Sequence, residues 1–486
     1  MKNAQYGQWN FLICLLSLLT LSLGCFSSGN NKSDPTDFKS PANAVGATLS
    51  ISNVNAVPLY KDIHAACAVD IFFTKGMARR DILTDPYLSF VRAFNFTSLQ
   101  YSGGSTADHD HVIVGDTLVY GGRGDGYNMS REDSRVRGES FDELLDGIGT
   151  VKFGVDFFNQ YCALLRTLKI RGDIIANVQG GTLAELYWKI QRTNARRVIF
   201  GMEQNLDANR YDFADGSAYK KKISQWIDSV ERKFPGIITV IDAAPIWKVT
   251  SKSSSWNNHL KTMPGDEARI YLWDKDLFTT GDNAASNLAT INQSFLQTIP
   301  QWLNQFTHTF PGKKASVWQW GLKPKSALYN KMIGCIYIAK FYKFMIDYNK
   351  SSNNFISYAA YMSLKSLDRG DGGYKNRDAA NMAAALKSCG MLFKGNPMVD
   401  ELSISGSNGL SGLALEQNRE YKLLLINESG AEILISAVNL NGYKVQGIYR
   451  ITSLSASSLD SDAVSYDYSS STGLRLKPYS VNVVEF

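Results

Sequence analysis

Glu203 is the residue whose place in the chain most invites chemistry. It closes Arg197-Val198-Ile199-Phe200-Gly201-Met202-Glu203-Gln204-Asn205, where an apolar β-run stops at Gly201 and delivers one carboxyl group to a loop. In a chain that alternates strands and helices, side chains at such a strand end stand on the rim where ligands bind. Asp242, ending the run 237–243, and Asp274, following 268–273, are predicted on the same rim. A second carboxyl group facing Glu203 permits shared acid/base work, whereas a lone carboxylate serves better to bind or to hold structure. For Glu203 the structural alternative is an ion pair with an arginine inside the frame.

These side chains reach one rim only if parallel strands carry them there. The stretch 47–51 alternates like a strand exposed on one face, and 65–73 is a continuous apolar run suited to a buried parallel strand. The run 96–101 ends in Ser102-Gly103-Gly104-Ser105, glycines that let the backbone turn close to a ligand. Helical spacing at 153–168, 180–193, 219–233, 286–307, 325–348 and 378–392 then alternates with strand runs at 173–178, 197–203, 237–243, 268–273, 315–320 and 355–362. About eight strand–helix units predict an α/β fold, a (β/α)8 TIM barrel over 61–397 with right-handed crossovers. No Gly-rich dinucleotide fingerprint follows a strand, which counts against a doubly wound sheet.

From 398 the texture changes to short strand runs (421–427, 432–438, 447–451, 481–486) divided by Ser, Gly and Asn turns. That pattern predicts a C-terminal antiparallel β-sandwich over 398–486, which a strand within 46–60 joins from the other end of the chain.

The formal charge of +6 over 486 residues is spread along the chain with no basic block, so no nucleic-acid partner is expected. At the N-terminus, Lys2, the apolar run 11–23 and Gly24-Cys25 form a targeting segment too short to span a bilayer. Leu21-Ser22-Leu23-Gly24-Cys25 resembles a bacterial lipobox, with Ser22 where an aliphatic residue is usual. The resemblance implies a signal peptide over 1–25, lipidation at Cys25, a flexible Ser/Asn/Pro tether over 26–45, and an exported protein anchored at a bacterial outer membrane or cell surface. An ordinary secretory signal with a chance cysteine is the alternative. No later run is long enough to span a membrane.

Cys67, Cys162, Cys335 and Cys389 lie far apart in apolar company without metal-ligand spacing. Buried thiols are expected, with a disulfide left open for an exported chain. Asp108-His109-Asp110-His111 has the residue types of a metal cluster but reads as a solvated loop near the rim, and no metal or cofactor is expected. Asp368-Arg369-Gly370-Asp371-Gly372-Gly373 lacks the full calcium-loop pattern, and Arg-Gly-Asp at 123, 171 and 369 reads as turn chemistry.

Three motifs resemble the clan A glycoside hydrolases, particularly the heparanase-like, β-xylosidase-like and arabinofuranosidase-like members. Gly201-Met202-Glu203-Gln204-Asn205 resembles their Gly-Asn-Glu-Pro-Asn at the end of strand four, whose Glu is the acid/base. Val317-Trp318-Gln319-Trp320-Gly321-Leu322 resembles their Thr-Glu-Trp-Gly at the end of strand seven, whose Glu is the nucleophile. Leu476-Lys477-Pro478-Tyr479-Ser480-Val481 resembles the Pro-Tyr-Ser-Val phrase of their last domain.

The departures concern function. Retaining hydrolysis needs two carboxyl groups about 5 Å apart, and the nucleophile position here matches Gln319, whose amide cannot form the glycosyl ester. Met202 stands in place of the family's Asn, Gln100 in place of an Arg, and Tyr271-Leu272-Trp273 lacks the usual His. The resemblance therefore implies a barrel that binds a poly- or oligosaccharide, with standard retaining chemistry lost or impaired. Two alternatives stay open: an active hydrolase pairing Glu203 with Asp242 or Asp274 at about 6.5–9.5 Å through a water, and a scaffold subunit of a surface complex. Gln100, Tyr101, Asn205 and Tyr271 are the candidate sugar contacts, and Trp247, Trp256 and Trp273 the candidate stacking platforms, since indole packs on the C–H faces of pyranose rings. On an alternating strand Trp318 and Trp320 share one face and Gln319 takes the other, so with Gln319 inward both indoles pack outward against helices.

Overall fold

The computed structural model describes residues 44–67, 85–101, 113–114, 117–118, 155–205, 213–246, 250–272, 283–322, 330–362, 364, 380–471 and 473–486. Cys25, the segment 1–43, the glycine turn 102–105, the Asp108-His109-Asp110-His111 cluster, Trp247, Trp273, Asp274 and 368–373 lie outside the described residues.

After β1 (Val45–Pro58), the strands β2 (Ala65–Cys67), β3 (Ser98–Tyr101), β6 (Arg171–Ala176), β7 (Arg197–Phe200), β8 (Ile238–Ile241), β9 (Glu267–Arg269), β10 (Lys314–Trp320) and β11 (Ile356–Tyr361) follow, with a small hairpin β4 (Ile113–Val114) and β5 (Thr117–Leu118) between β3 and β6. From β2 to β11, hairpin excepted, they pair in parallel in chain order and close on themselves as an eight-stranded barrel. Among the described residues the helices are α1 (Asp85–Arg92), α2 (Val155–Leu168), α3 (Leu183–Thr193), α4 (Gly216–Lys233), α5 (Ser251–Leu260), α6 (Ala284–Gln293), α7 (Ile299–Thr309), α8 (Met332–Ser351) and α9 (Ala380–Gly390).

Local chemistry explains the helix bounds. In α4 the Asp215 carboxylate accepts from Ser217 N and Ala218 N at 2.9 Å, and Tyr219, Ile223, Trp226, Ile227 and Val230 form the buried stripe. The helix expected over 286–307 is two, α6 and α7, joined through one wide π-turn at Ser294–Thr298. Helix α5 escapes a periodicity reading because most of its residues are polar; a capping box between Thr250 and Ser253 starts it, and Trp256 and Leu260 anchor it. The Arg-Gly-Asp at 171 is no turn: it opens β6, where a side chain at Gly172 would strike Leu165 and Tyr161 of α2 and Asp173 is buried.

Inside the barrel, Ala65, Ile175, Ile199, Met202, Val240, Trp318, Tyr358 and Ala360 form a separate core, while the alternate residues pack against the helices. At the N-terminal ends of the strands, Arg197 is clamped by Glu267.

The remaining strands, β12 (Met398–Ser405), β13 (Leu410–Gln417), β14 (Glu420–Asn427), β15 (Ile433–Leu440), β16 (Tyr443–Lys444), β17 (Tyr449–Ser455), β18 (Val464–Ser470), β19 (Leu474–Leu476) and β20 (Ser480–Glu485), join β1 in one 10-stranded sheet, β16-β15-β1-β12-β13-β14-β20-β17-β18, with β19 on β15. The sheet is mixed where an antiparallel one was expected, because β1 enters from the far end of the chain and runs parallel to β15, from Val45↔Ile433 to Ile51↔Leu440. It also curls. β18 lies at one edge, yet β19, next in the chain, pairs with β15 near the other, and Leu49, Ile51, Ile451 and Leu474 share one buried cluster.

Helix α8 ties barrel to sheet. It is buried nearly all round, packs on β14, β17 and β20, and its first amides donate across to Ser461 O and Leu459 O at 3.0 and 2.9 Å. Nearby, Gly390 ends α9 where a Cβ would drive into the carbonyl oxygen of Phe94. A Gly390→Ala substitution is expected to cost about 1–3 kcal/mol in a urea unfolding experiment, because backbone rather than a flexible side chain must give way.

Candidate active site

The strand ends place Glu203, Asp242, Tyr271 and Gln319 on the C-terminal side of the barrel, on its fourth, fifth, sixth and seventh strands. After β7 the chain turns through Gly201 at φ 84 and Glu203 at φ 62. Only glycine fits the first position, since a Cβ would sit 2.7 Å from Gln204 Cγ and 2.8 Å from Val178 Cγ2. Glu203, half-buried, accepts a hydrogen bond from the Tyr271 hydroxyl at 2.9 Å.

Asp242 and Arg269 lie beneath this turn with both side chains at 0% exposure, joined by an Oδ1–Nη2 contact of 2.6 Å. Asp242 Oδ2 accepts from Gln204 N at 2.6 Å. Arg269 donates through Nη1 to Met202 Sδ at 2.8 Å and to the Tyr271 hydroxyl, and through Nη2 to Ala243 O at 3.2 Å, with its guanidinium 4.0 Å from the Tyr271 ring centroid. Burial pushes the Asp242 carboxyl up to about 6 against the opposing pull of Arg269 and the Gln204 amide, so the pair is charged at neutral pH. Burial acts to lower Arg269, but Asp242, Tyr271 and Glu203 reverse this and leave it above the usual guanidinium range. Burial also raises the Tyr271 phenol well above its ordinary value.

Asp242 is thus no second acid across a cleft. It is sealed from solvent and engaged by Arg269 and Gln204, so no bulk water reaches it for activation. The ion pair with a barrel arginine belongs to Asp242, with Tyr271 standing between Arg269 and Glu203.

Gln319 owes its direction to a bulge. Val317 pairs with Ala359 and Trp320 with Tyr361, so three steps on β10 oppose two on β11, and Trp318 and Gln319 together face Ala360. Ala360 and Trp318 belong to the barrel interior, and Val317 and Trp320 to the helix-facing core. Gln319, 5% exposed, therefore lies on the inner side. The two indoles do not share a face as simple alternation requires: Trp320 stacks on Phe341 of α8 at 4.3 Å and 5°, while Trp318 packs inside on Tyr358 at 5.0 Å and donates to Ser316 Oγ at 2.9 Å.

Gln100 points into the barrel between outward Leu99 and Tyr101; it is fully buried, and its amide N and O have no partner among the described residues. Tyr101 is not at the rim, since alternation turns it onto Phe158 and Tyr161 of α2 at 5.1 and 4.9 Å. Asn205 ends the Glu203 turn half-buried. Trp256 is no stacking platform: the unrecognised helix α5 turns it inward at 3% exposure, against Tyr219, with Nε1 donating to Asp242 O at 3.0 Å. Met202 lies in the barrel core and Leu272 in the helix-facing core.

Arg269 is the residue sequence reasoning missed. Its signal is the spacing Glu267, Arg269, Tyr271, which puts three polar side chains on one face of a strand otherwise read as buried. Gln179 and Gln204 add a buried amide pair beside the turn, Gln179 Nε2 donating to Gln204 Oε1. Cys67, Cys162, Cys335 and Cys389 are buried thiols. Among the described residues no group of His, Cys, Asp and Glu could hold a metal ion, and no helix is long and apolar enough to cross a membrane.

No protein-family model and no curated protein matches the chain. Solved structures do. The chain is similar to an arabinofuranosidase with a TM-score of 0.64 at 11% identity, over 90% of this chain and 99% of that one. It is similar to a family 51 arabinofuranosidase from Xanthomonas axonopodis pv. citri with a TM-score of 0.61 at 10% identity, over 91% of this chain and 99% of the other. A glycoside hydrolase family 44 xyloglucanase from Paenibacillus polymyxa gives 0.58 at 10% identity, over 91% and 99%. The chain therefore has the fold of these glycoside hydrolases, an eight-stranded parallel barrel with a mixed, curled β-sheet.

Proposed function

We propose that the protein binds a poly- or oligosaccharide at the C-terminal rim of its barrel, as a surface-anchored, glycoside hydrolase-like lipoprotein without standard retaining hydrolysis. The observation that carries this reading is Gln319, a buried amide on the inner side of strand seven where the sequence resemblance calls for a nucleophilic carboxylate. An amide neither forms a glycosyl ester nor stabilises oxocarbenium charge as a carboxylate does, yet it can donate to one sugar hydroxyl and accept from another. The enclosure of Asp242 against Arg269 supports this reading over one in which Asp242 serves as a second acid. Likeness in fold to arabinofuranosidases and a xyloglucanase supports a plant-type polysaccharide as the first class to try. In this reading Cys25 carries the lipid, residues 26–45 form the tether, and the curled sheet serves as the accessory sandwich of such hydrolases.

Affinity electrophoresis through gels containing arabinan, arabinoxylan or xyloglucan, run alongside a reducing-sugar assay, tests this. Retardation without release of reducing ends is expected, and Glu203→Gln should weaken retardation without abolishing it. Release that Glu203→Gln abolishes would replace it with the hydrolase reading, in which Asp274 becomes the partner acid. No retardation on any glycan would favour the scaffold reading.

A further inference from the structure

We propose that Arg269, held in place by Asp242, is the positioning residue of the Glu203 site and sets the direction of the Glu203 carboxyl group from beneath the rim. The inference rests on reading that rim as the binding site, and it names what controls it.

Three consecutive residues of the turn are gripped by one network. Met202 Sδ meets Arg269 Nη1 at 2.8 Å, Glu203 Oε1 accepts from Tyr271 at 2.9 Å, and Gln204 N donates to Asp242 at 2.6 Å. Glu203 itself sits at φ 62, in the left-handed region that side chains other than Gly, Asn and Asp avoid. Such a residue persists only where its surroundings over-determine it, and strain of this kind collects at functional sites. A turn needing no carboxyl group would be made more cheaply with glycine or asparagine at 203.

Stability does not account for the pair. A buried ion pair is a weak source of it, because desolvation offsets the attraction, and matched apolar side chains usually do as well. What apolar side chains cannot supply is polarity. The guanidinium has donors only, so its contact to the Tyr271 oxygen makes that oxygen an acceptor there. The phenolic proton must then point elsewhere, and Glu203 Oε1 receives it. The fork also spans Asp242 Oδ1 and Ala243 O on one side and Tyr271 and Met202 on the other, a reach that a lysine ammonium lacks.

The test compares the double variant Arg269→Met/Asp242→Leu, the single variant Tyr271→Phe and wild type in thermal unfolding, in the carboxyl-carbon NMR signal of Glu203 (assigned by its loss in Glu203→Gln), and in retardation by arabinan and xyloglucan. The double variant is expected to keep a melting temperature close to wild type, to shift the Glu203 signal, and to bind about tenfold more weakly, the equivalent of one misdirected charge-assisted hydrogen bond. Tyr271→Phe should shift the same signal with the ion pair intact. A folded double variant and a Tyr271→Phe variant that both leave signal and retardation unchanged would overturn the proposal. Should the double variant fail to fold, Arg269→Lys, which keeps the charge but lacks the fork, takes its place beside Tyr271→Phe, and an unchanged Glu203 signal in both overturns the proposal. Should wild type bind neither polysaccharide, the glycan reading fails at those probes, while the Glu203 signal still decides whether Arg269 and Tyr271 direct the carboxyl group.

Discussion

Glu267→Gln is expected to lower the free energy of unfolding by about 3 kcal/mol, the low end of the cost of breaking a buried ion pair, because Asp62 stays 3.6 Å from Arg197 Nη1. Arg197 starts β7 with its side chain 1% exposed, and its Nε and Nη2 each lie 3.0 Å from one carboxylate oxygen of Glu267. Nη2 also reaches Ser357 O at 3.0 Å, and the guanidinium sits 4.6 Å from the Tyr358 ring centroid. Burial acts to lower Arg197, and Glu267, Asp173 and Asp62 reverse it so strongly that the group stays well above its ordinary value. The arginine cannot discharge to escape the penalty. Replacing both partners, as Arg197→Met/Glu267→Leu, is expected to cost less than Glu267→Gln alone. Guanidinium unfolding of the three proteins checks this; equal or additive losses would mean that the pair itself contributes the stability. The network lies at the N-terminal ends of the strands, away from Glu203, so the glycan retardation proposed for wild type should be the same per folded molecule in these variants.

The second large effect is on pH. Lowering the pH from about 6.5 to about 4 is expected to remove about 3 kcal/mol of stability through His64 alone. His64 is fully buried; burial pulls its imidazole from 6.5 down to about 4, and a hydrogen bond to the Phe94 carbonyl opposes this only in part. The unfolded chain therefore takes up a proton in this window that the folded chain refuses, and stability falls as pH falls. Nε2 faces Phe94 O at 2.8 Å, a group that only accepts, so Nε2 carries the proton and Nδ1 accepts from the Tyr342 hydroxyl at 2.6 Å. Phe393 stacks on the ring at 4.4 Å and 15°. Asp242 and Asp400, both raised to about 6 by burial, act in the opposite sense, since in the folded state they hold protons that the unfolded chain has lost. A comparison with His64→Gln, whose amide can accept from Tyr342 and donate to Phe94, isolates the histidine. The difference in stability between the two proteins should shrink or reverse by about 3 kcal/mol between pH 7 and pH 4; a constant difference would sink the assignment.

Much of the frame was legible. Apolar runs with the period of a buried strand alternate with helical stripes, and a parallel barrel follows because each crossover must pack back on the sheet in one hand. Helix α5 was not legible, since its buried face is little more than Trp256 and Leu260 and its stop and start lie in caps. That omission turned Trp256 from a packing residue into an apparent platform. Tyr101 misled for a different reason. Its neighbour Gln100 does face inward, and one step along a strand reverses the side chain.

The sequence by itself determined which side chains arrive at the ends of the barrel strands. Glu203 and Gln319 were placed there by local patterns, an apolar run stopping at glycine and a strand of seven residues, neither of which depends on distant partners. Tertiary structure alone decided what surrounds them. The bulge that turns Trp318 and Gln319 inward together arises from pairing with β11, and the network under Glu203 joins the ends of β7, β8 and β9, more than 60 residues apart at its extremes. Charge makes the difference. A carboxylate in the sequence is only an acid, whereas one enclosed against Arg269 becomes a clamp, and which of Asp242 and Glu203 would be enclosed depended on side chains that meet only when the barrel closes.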